Sequence, residues 1–276
     1  VTPRCAFPRL LAGALALAVA LAPASRAAPS AELWERWTAH DPGSEATVDH
    51  SAWDDFLGRH LAERDGINLV RYSRVPQEDR AALAGYVEAL AGTAVSSLAR
   101  DEQMAYWVNL YNALTIGIIL DNLPVDSIRD ISDGLFSSGP WDRKVVSVEG
   151  EELTLNDIEH RILRPIWMDP RVHYAVNCAS IGCPNLAPRA YTGANLEEML
   201  ERGAKDYVNH PRGVSVSGGV LEVSSIYSWF SEDFGSGDAE LIEHLRRYAE
   251  PGLRAELEGI GRVGGHDYDW SLNAAQ

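Results

Sequence analysis

The sequence predicts an α+β fold: a helix-rich single domain packed on a small, mostly antiparallel sheet, with a central buried helix near 101–122. Three observations carry this. Apolar residues recur at three- and four-residue steps in several segments, short alternating runs break at Glu-Gly or Gly-Gly turns, and no linker, repeat or low-complexity run divides the chain after residue 28. A composition 46% hydrophobic and 23% charged is globular and excludes disorder, collagen and a bare coiled coil.

From Ser51, the spacing of Trp53, Phe56, Leu57 and Leu61 predicts a helix with one buried face, and Ile67 to Tyr72 a short strand. Residues 29–75 read as an N-terminal helical extension to a domain over 76–276. Pro76 opens a second amphipathic helix through Leu83, Tyr86, Val87 and Leu90 to Gly92. Asp101 to Asn122 leaves almost no polar side, which places that helix at the centre of the fold. At 100° per residue, Glu102, Ala105, Asn109, Asn112 and Ala113 share one stripe. Buried amides need partners, so Asn109 and Asn112 either clamp a neighbouring backbone or bind substrate.

Pro124 closes this helix, and a loop through Gly134, Gly139 and Pro140 delivers Trp141-Asp142. Lys144 to Val148 reads as a strand turning at Glu149-Gly150, and Thr154 with Asp157 resembles a capping box for the next helix. On that helix Glu159 and His160 diverge by 100°, so at most one should face a site. Arg171 to Asn177 alternates as a strand with His173 on its smaller, more polar face, and runs into the small-residue loop Cys178 to Pro184. Leu196 to Val208 is a helix, Val214–Ser217 and Val220–Val223 form a hairpin across Gly218-Gly219, and Ile226 to Phe230 and Ala239 to Tyr248 are helices. The tail from Asp267 to Asn273 reads as docked.

Arg4 and Arg9 precede the apolar run Leu10 to Ala22, and Ser25-Arg26-Ala27 supplies small residues at cleavage-defining positions. The run is about thirteen residues, too short to cross a bilayer. Residues 1–28 therefore read as a signal peptide cut near Ala27 or Ala28, with an uncleaved anchor as the alternative, and the protein as periplasmic or extracellular. Losing Arg4, Arg9 and Arg26 takes the formal charge from −16 to −19. Such acidity excludes sequence-independent binding to nucleic acid or anionic lipid. No stable membrane span is expected after leader removal, and a small molecule or peptide is the expected partner.

Cys178 and Cys183 would meet an oxidising compartment, which favours a disulfide between them. A reactive thiol is the second reading, with His173 or His160 lowering its pKa and Asn109 or Asn112 orienting the imidazole or donating to an oxyanion. Strand alternation separates Cys178 from His173 unless the strand ends first. Metal binding by Cys178, Cys183, His173 and His160 is disfavoured by loose cysteine spacing, and redox exchange by the absence of a Cys-x-x-Cys motif. Trp141 and Glu159 complete the substrate-binding candidates, and Trp229 and Asp233 are weaker pocket residues for sugar or peptide. No metal or cofactor is expected. Phosphate-loop, serine-elbow and zincin motifs are missing, which disfavours those chemistries.

Tyr106-Trp-Val-Asn-Leu-Tyr-Asn-Ala113, Leu155-Asn-Asp-Ile-Glu-His-Arg-Ile-Leu163 and Arg171-Val-His-Tyr-Ala-Val-Asn-Cys-Ala-Ser-Ile-Gly-Cys-Pro184 resemble the domain-of-unknown-function 547 family. Trp229-Phe230, Asp233-Phe234 and Tyr268 to Asn273 fit as well, and the resemblance spans roughly Leu83 to Tyr248. It implies shared architecture and a shared pocket, not a reaction. Some plant and animal relatives carry the domain inside the cell beside coiled-coil, DEP or glutaredoxin modules, and this sequence departs from them by its leader. The combined expectation is a thiol-dependent hydrolase or transferase acting on a small amide, ester or peptide through a Cys/His pair. The alternative is a non-enzymatic binding domain with a structural disulfide.

Overall fold

A computed structural model describes residues 29–131 and 139–275; the leader reading, with Cys5, and Gly134 of the loop lie outside them. Helix α1 (Ser51–His60) buries Trp53, Phe56, Leu57 and His60 on one face. It leads into the antiparallel hairpin β1 (Leu61–Arg64) and β2 (Ile67–Val70). The turn residues Asp65 and Gly66 have φ of 51° and 76°, the two left-handed positions a tight hairpin demands. Helix α2 (Gln77–Ala91) follows Pro76 and packs Leu83, Tyr86 and Leu90 inward.

Helix α3 (Arg100–Asn122) is buried without a break from Glu102 to Ile116, as its apolar sequence predicts. Around it gathers the larger core, including Trp37, Trp53, Leu57, Val70, Leu90, Trp107 and Ile158. Residues 37–75 thus share one core with the central helix. Among the described residues no helix is long and apolar enough to cross a membrane.

Strands β3 (Val146–Val148) and β4 (Glu151–Leu153) pair antiparallel. Thr154 and Asp157 close the anticipated box, with Asp157 N donating to Thr154 Oγ1 at 2.9 Å and Thr154 N donating to Asp157 Oδ2 at 2.9 Å. The helix so started is a π-helix over Asp157–Leu163 before it continues as α4 (Arg164–Trp167).

Arg171 to Asn177 is not a strand. Residues Val172–Ala175 form a single helical turn, α5. The Asp169-Pro170 pair explains the difference: Asp169 Oδ1 accepts from Arg171 N at 2.9 Å, and the carbonyls of Asp169 and Pro170 accept from Val172 N and His173 N. An N-terminal acid and a proline with its φ already set initiate a helix locally, and among the described residues no strand pairs with this segment to reward the alternating valines.

Helix α6 (Leu196–Val208) is amphipathic, and β5 (Val214–Ser217) with β6 (Val220–Ser224) forms the Gly218-Gly219 hairpin. Short helices α7 (Ile226–Trp229) and α8 (Ser231–Phe234) precede α9 (Asp238–Tyr248) and α10 (Pro251–Glu256). Strand β7 (Gly265–Asp267) then adds parallel to β6. These elements enclose a second cluster of Tyr174, Tyr207, Val223, Tyr227, Phe234 and Leu245. The fold is α+β, with three small sheets among the described residues instead of one.

The tail returns across the molecule. Val70 N donates to Asn273 O at 2.8 Å and Ala275 N to Val70 O at 2.8 Å, while Ile181 N donates to Ser271 O and Gly182 N to Asp269 O, both at 2.8 Å. A Cβ on Gly182 would lie 2.9 Å from Asp269 N, so glycine is what lets the two backbones meet.

Candidate functional site

Pro165 shapes the site before any catalytic group is considered. It has no N–H, so the carbonyl of Arg161, four residues earlier, lacks its α-helical donor, and the carbonyl of His160 lacks its own because Arg164 N is engaged one residue further back. Arg164 N donates instead to Glu159 O, the π-type bond. The released carbonyls turn outward and accept from Glu32 N and Trp34 N, each at 3.0 Å.

The widened turn points Glu159 and His160 toward the same place, against the expectation that only one would face a site. Glu159 Oε1 lies 3.8 Å from His173 Nδ1, and Glu159 Oε2 lies 4.0 Å from His160 Nε2. His173 Nε2 meets Asp233 Oδ2 at 2.6 Å. Arg164, almost wholly buried, donates Nε to Asp233 at 2.6 Å, Nη2 to Glu232 at 2.6 Å and Nη1 to His160 Nδ1 at 3.0 Å. Phe230 stacks on the His173 ring, centroids 4.4 Å apart, and takes the Arg164 guanidinium on its face at 4.8 Å.

Because His160 Nδ1 accepts from a guanidinium, the ring is neutral. Burial lowers its pKa to about 4, against the opposing charge of Glu159 and with Arg164 adding to the fall. Burial would raise Asp233, but hydrogen bonds from His173 and Arg164 hold it at about 2. Tyr111 lies between this cluster and an aromatic group, its hydroxyl near Glu159 and Trp141, and burial drives its pKa well above the usual phenol range, with the Glu159 charge adding to the rise. Trp141, Trp229, Tyr268 and Trp270 are all half-buried. Their rings form one group, with Trp229 and Trp270 stacked at 5.4 Å, Tyr268 and Trp270 at 4.7 Å, and Trp141 edge-on to Trp270 at 5.9 Å.

Cys178 and Cys183 form a disulfide. The Tyr268 hydroxyl sits 3.1 Å from Cys178 Sγ, 3.2 Å from Cys183 Sγ and 2.8 Å from Ser180 Oγ. Cys178 N donates to Cys183 Sγ at 2.9 Å. Among the described residues no imidazole is a hydrogen-bond partner of either sulfur; His173 and His160 turn to Glu159, Asp233 and Arg164.

Asn109 and Asn112 are buried and each clamps backbone. Asn109 donates to Tyr191 O at 2.7 Å and accepts from Tyr191 N at 3.0 Å; Asn112 donates to Ala175 O at 2.9 Å and accepts from Asn177 N at 2.8 Å. The sequence candidates thus fall into a Glu159–His160–His173 cluster joined to Trp141 through Tyr111, a cystine joined to the tail through Tyr268, and two amides that hold the intervening chain. Sequence reasoning missed Arg164, Tyr111 and Tyr268 as site members. Arg164, four residues beyond His160, was the available signal.

Neither a curated protein nor a solved structure matches the chain. Residues 95–208, which contain Asn109, Glu159, His173 and both cysteines of the bridge, match the family described as Protein of unknown function, DUF547, so the resemblance carried by the three motif blocks holds.

Proposed function

We propose that the protein is an exported binding domain for a small polar molecule that presents a flat apolar face, and that its cystine braces the loop beside the binding surface. The observation that carries this reading is the group of half-buried rings Trp141, Trp229, Tyr268 and Trp270, with buried Glu159 and the buried Tyr111 hydroxyl beside Trp141. It sets a hydrogen-bond acceptor next to an aromatic wall, the pairing that recognises a sugar ring by stacking and by hydroxyl contact. The Tyr268 hydroxyl on both sulfurs ties the wall to the bridge.

Intrinsic tryptophan fluorescence tests it. Titration with a panel of oligosaccharides and short peptides is expected to give saturable quenching with at least one saccharide, weakened tenfold or more in Trp270→Ala. A flat response across the panel overturns the reading.

The thiol-dependent hydrolase or transferase is the second reading. Half-buried Cys178, with Tyr268 and Ser180 hydroxyls at its sulfur, favours it for the reduced protein, since hydroxyl donors stabilise a thiolate. Peptide mapping of the native protein separates the two. An intact Cys178–Cys183 link supports the brace, whereas free thiols together with ester hydrolysis lost in Cys178→Ser support the enzyme.

A further inference from the structure

Residues Pro29 to Trp34 run along the π turn with a ligand's pattern of contacts. Alternate amides, Glu32 N and Trp34 N, donate to the freed carbonyls of His160 and Arg161 at 3.0 Å. Ala31 N donates to Glu232 Oε1 at 3.0 Å, and Pro29 O accepts from Arg164 Nη1 at 2.7 Å. Every one of these bonds uses main-chain atoms of the segment. The groove alongside, about 370 Å³, is lined by Ala31, Arg164, Met168, Asp169, Glu232 and Asp233.

The hold on this segment is weak where side chains are concerned. Residues 29–33 are exposed, and Trp34 is the anchor, lying 4.3 Å from the Arg161 guanidinium and edge-on to Trp37 at 6.0 Å. A stretch with one half-buried side chain, held otherwise by a handful of main-chain bonds, opens at low free energy. The receiving edge, by contrast, belongs to the helix itself: Pro165 deprives Arg161 O of its α-type donor, the π-type bond from Arg164 N to Glu159 O deprives His160 O of its own, and unpaired acceptors at a buried helix call for a partner.

We propose that this edge is a binding site for an extended peptide supplied by another molecule, and that residues 29–34 occupy it as a resident pseudo-ligand that must be displaced. The guest donates amides two residues apart to His160 O and Arg161 O, as an added strand does, and places a carbonyl on Arg164. Displacement uncovers the guanidinium that holds His160 and Asp233, which couples peptide binding to the buried cluster. The site does not depend on the aromatic surface described above.

The test keeps the chain at full length. Glu32→Pro removes the amide that donates to His160 O and leaves the segment otherwise present. A fluorescein-labelled peptide of residues 29–36, Pro-Ser-Ala-Glu-Leu-Trp-Glu-Arg, is titrated by anisotropy into the unaltered and variant proteins. Binding at least tenfold tighter to Glu32→Pro is expected; equal affinity, or no binding to either, overturns the proposal. Hydrogen exchange on the unaltered protein provides a check that needs no variant. The amides of Glu32 and Trp34 should exchange at least a hundredfold faster than those of α3, and protection equal to α3 would show a fixed structural segment. Trp270→Ala should leave peptide affinity unchanged, so failure here and failure of the saccharide reading are distinguishable.

Discussion

His160 cannot accept a proton without losing the bond from Arg164, and that fixes how the protein responds to acid. Its folded pKa of about 4 lies below the ordinary 6.5, so the unfolded chain takes up the proton first. Stability is therefore complete above about 6.5 and declines as pH falls toward 4. His244, also lowered to about 4 by burial first and by Arg247 next, adds to the same window. Asp233, at about 2 instead of 3.8, contributes a second loss below pH 4. Melting temperatures measured from pH 7 to pH 3 should fall in both ranges, and His160→Gln should flatten the upper one. An unchanged slope in that variant would remove His160 from the account. At this scale the sequence was partly legible. His160, His173, Glu159 and the cysteines stand out by chemistry, but Arg164 and Tyr111 look like an ordinary helix arginine and an ordinary core tyrosine until their partners are known. The pairing of His173 with Asp233 instead of a sulfur depends on residues 60 positions apart, which no local pattern encodes.

Along α3 the polar stripe is a row of backbone clamps. Glu102 accepts from Val48 N and Gly193 N, each at 2.7 Å, Asn109 holds both sides of Tyr191, and Asn112 holds Ala175 and Asn177. One rigid helix thereby positions the N-terminal segment, the loop before α6 and the approach to Cys178. Asn109→Ala leaves a buried amide and a buried carbonyl unpaired, at roughly 1–3 kcal/mol for each. Urea denaturation should show a lowered midpoint with an unchanged slope; a loss below about 1 kcal/mol would mean that water replaces the side chain. Helices α1, α2, α3, α6 and α9, the turns at Glu149-Gly150 and Gly218-Gly219 and this stripe were readable because their periodicity is local. By contrast Leu61, spaced as the last apolar position of the first helix, begins β1, and the short α8 and α10 carry no such signal. The turn at Val172–Ala175 was not, because alternation over seven residues is compatible with either state and Asp169-Pro170 decides it. The π turn was equally hidden, since Pro165 reads as a helix-terminating signal and not as a cause of wider winding.

For the molecule as a whole, the C-terminal tail is the closing piece. Tyr72 Oη donates to Asn273 Oδ1 at 2.8 Å across 201 residues, Leu272 N donates to Asp126 O at 2.8 Å, and β7 sits on the sheet of the second cluster. Both clusters are held by the same strand of chain, so chemical denaturation should follow one transition by tryptophan fluorescence and by far-ultraviolet circular dichroism. Reducing Cys178–Cys183 should lower the unfolding free energy by roughly 2 kcal/mol, the loop-closure term for so short a loop, and shift the midpoint to lower denaturant accordingly. Two separated transitions would show that the clusters melt independently. The sequence could indicate that the tail docks, from its aromatics and turn formers, but not where, because its contacts go to Val70, Asp126 and Gly182 in three distant segments. That clasp also governs the order of assembly. The hairpin at Val70 gains its tail partners only from residues some two hundred positions later, so this clasp is among the most non-local contacts in the molecule and cannot form before the last stretch of chain exists.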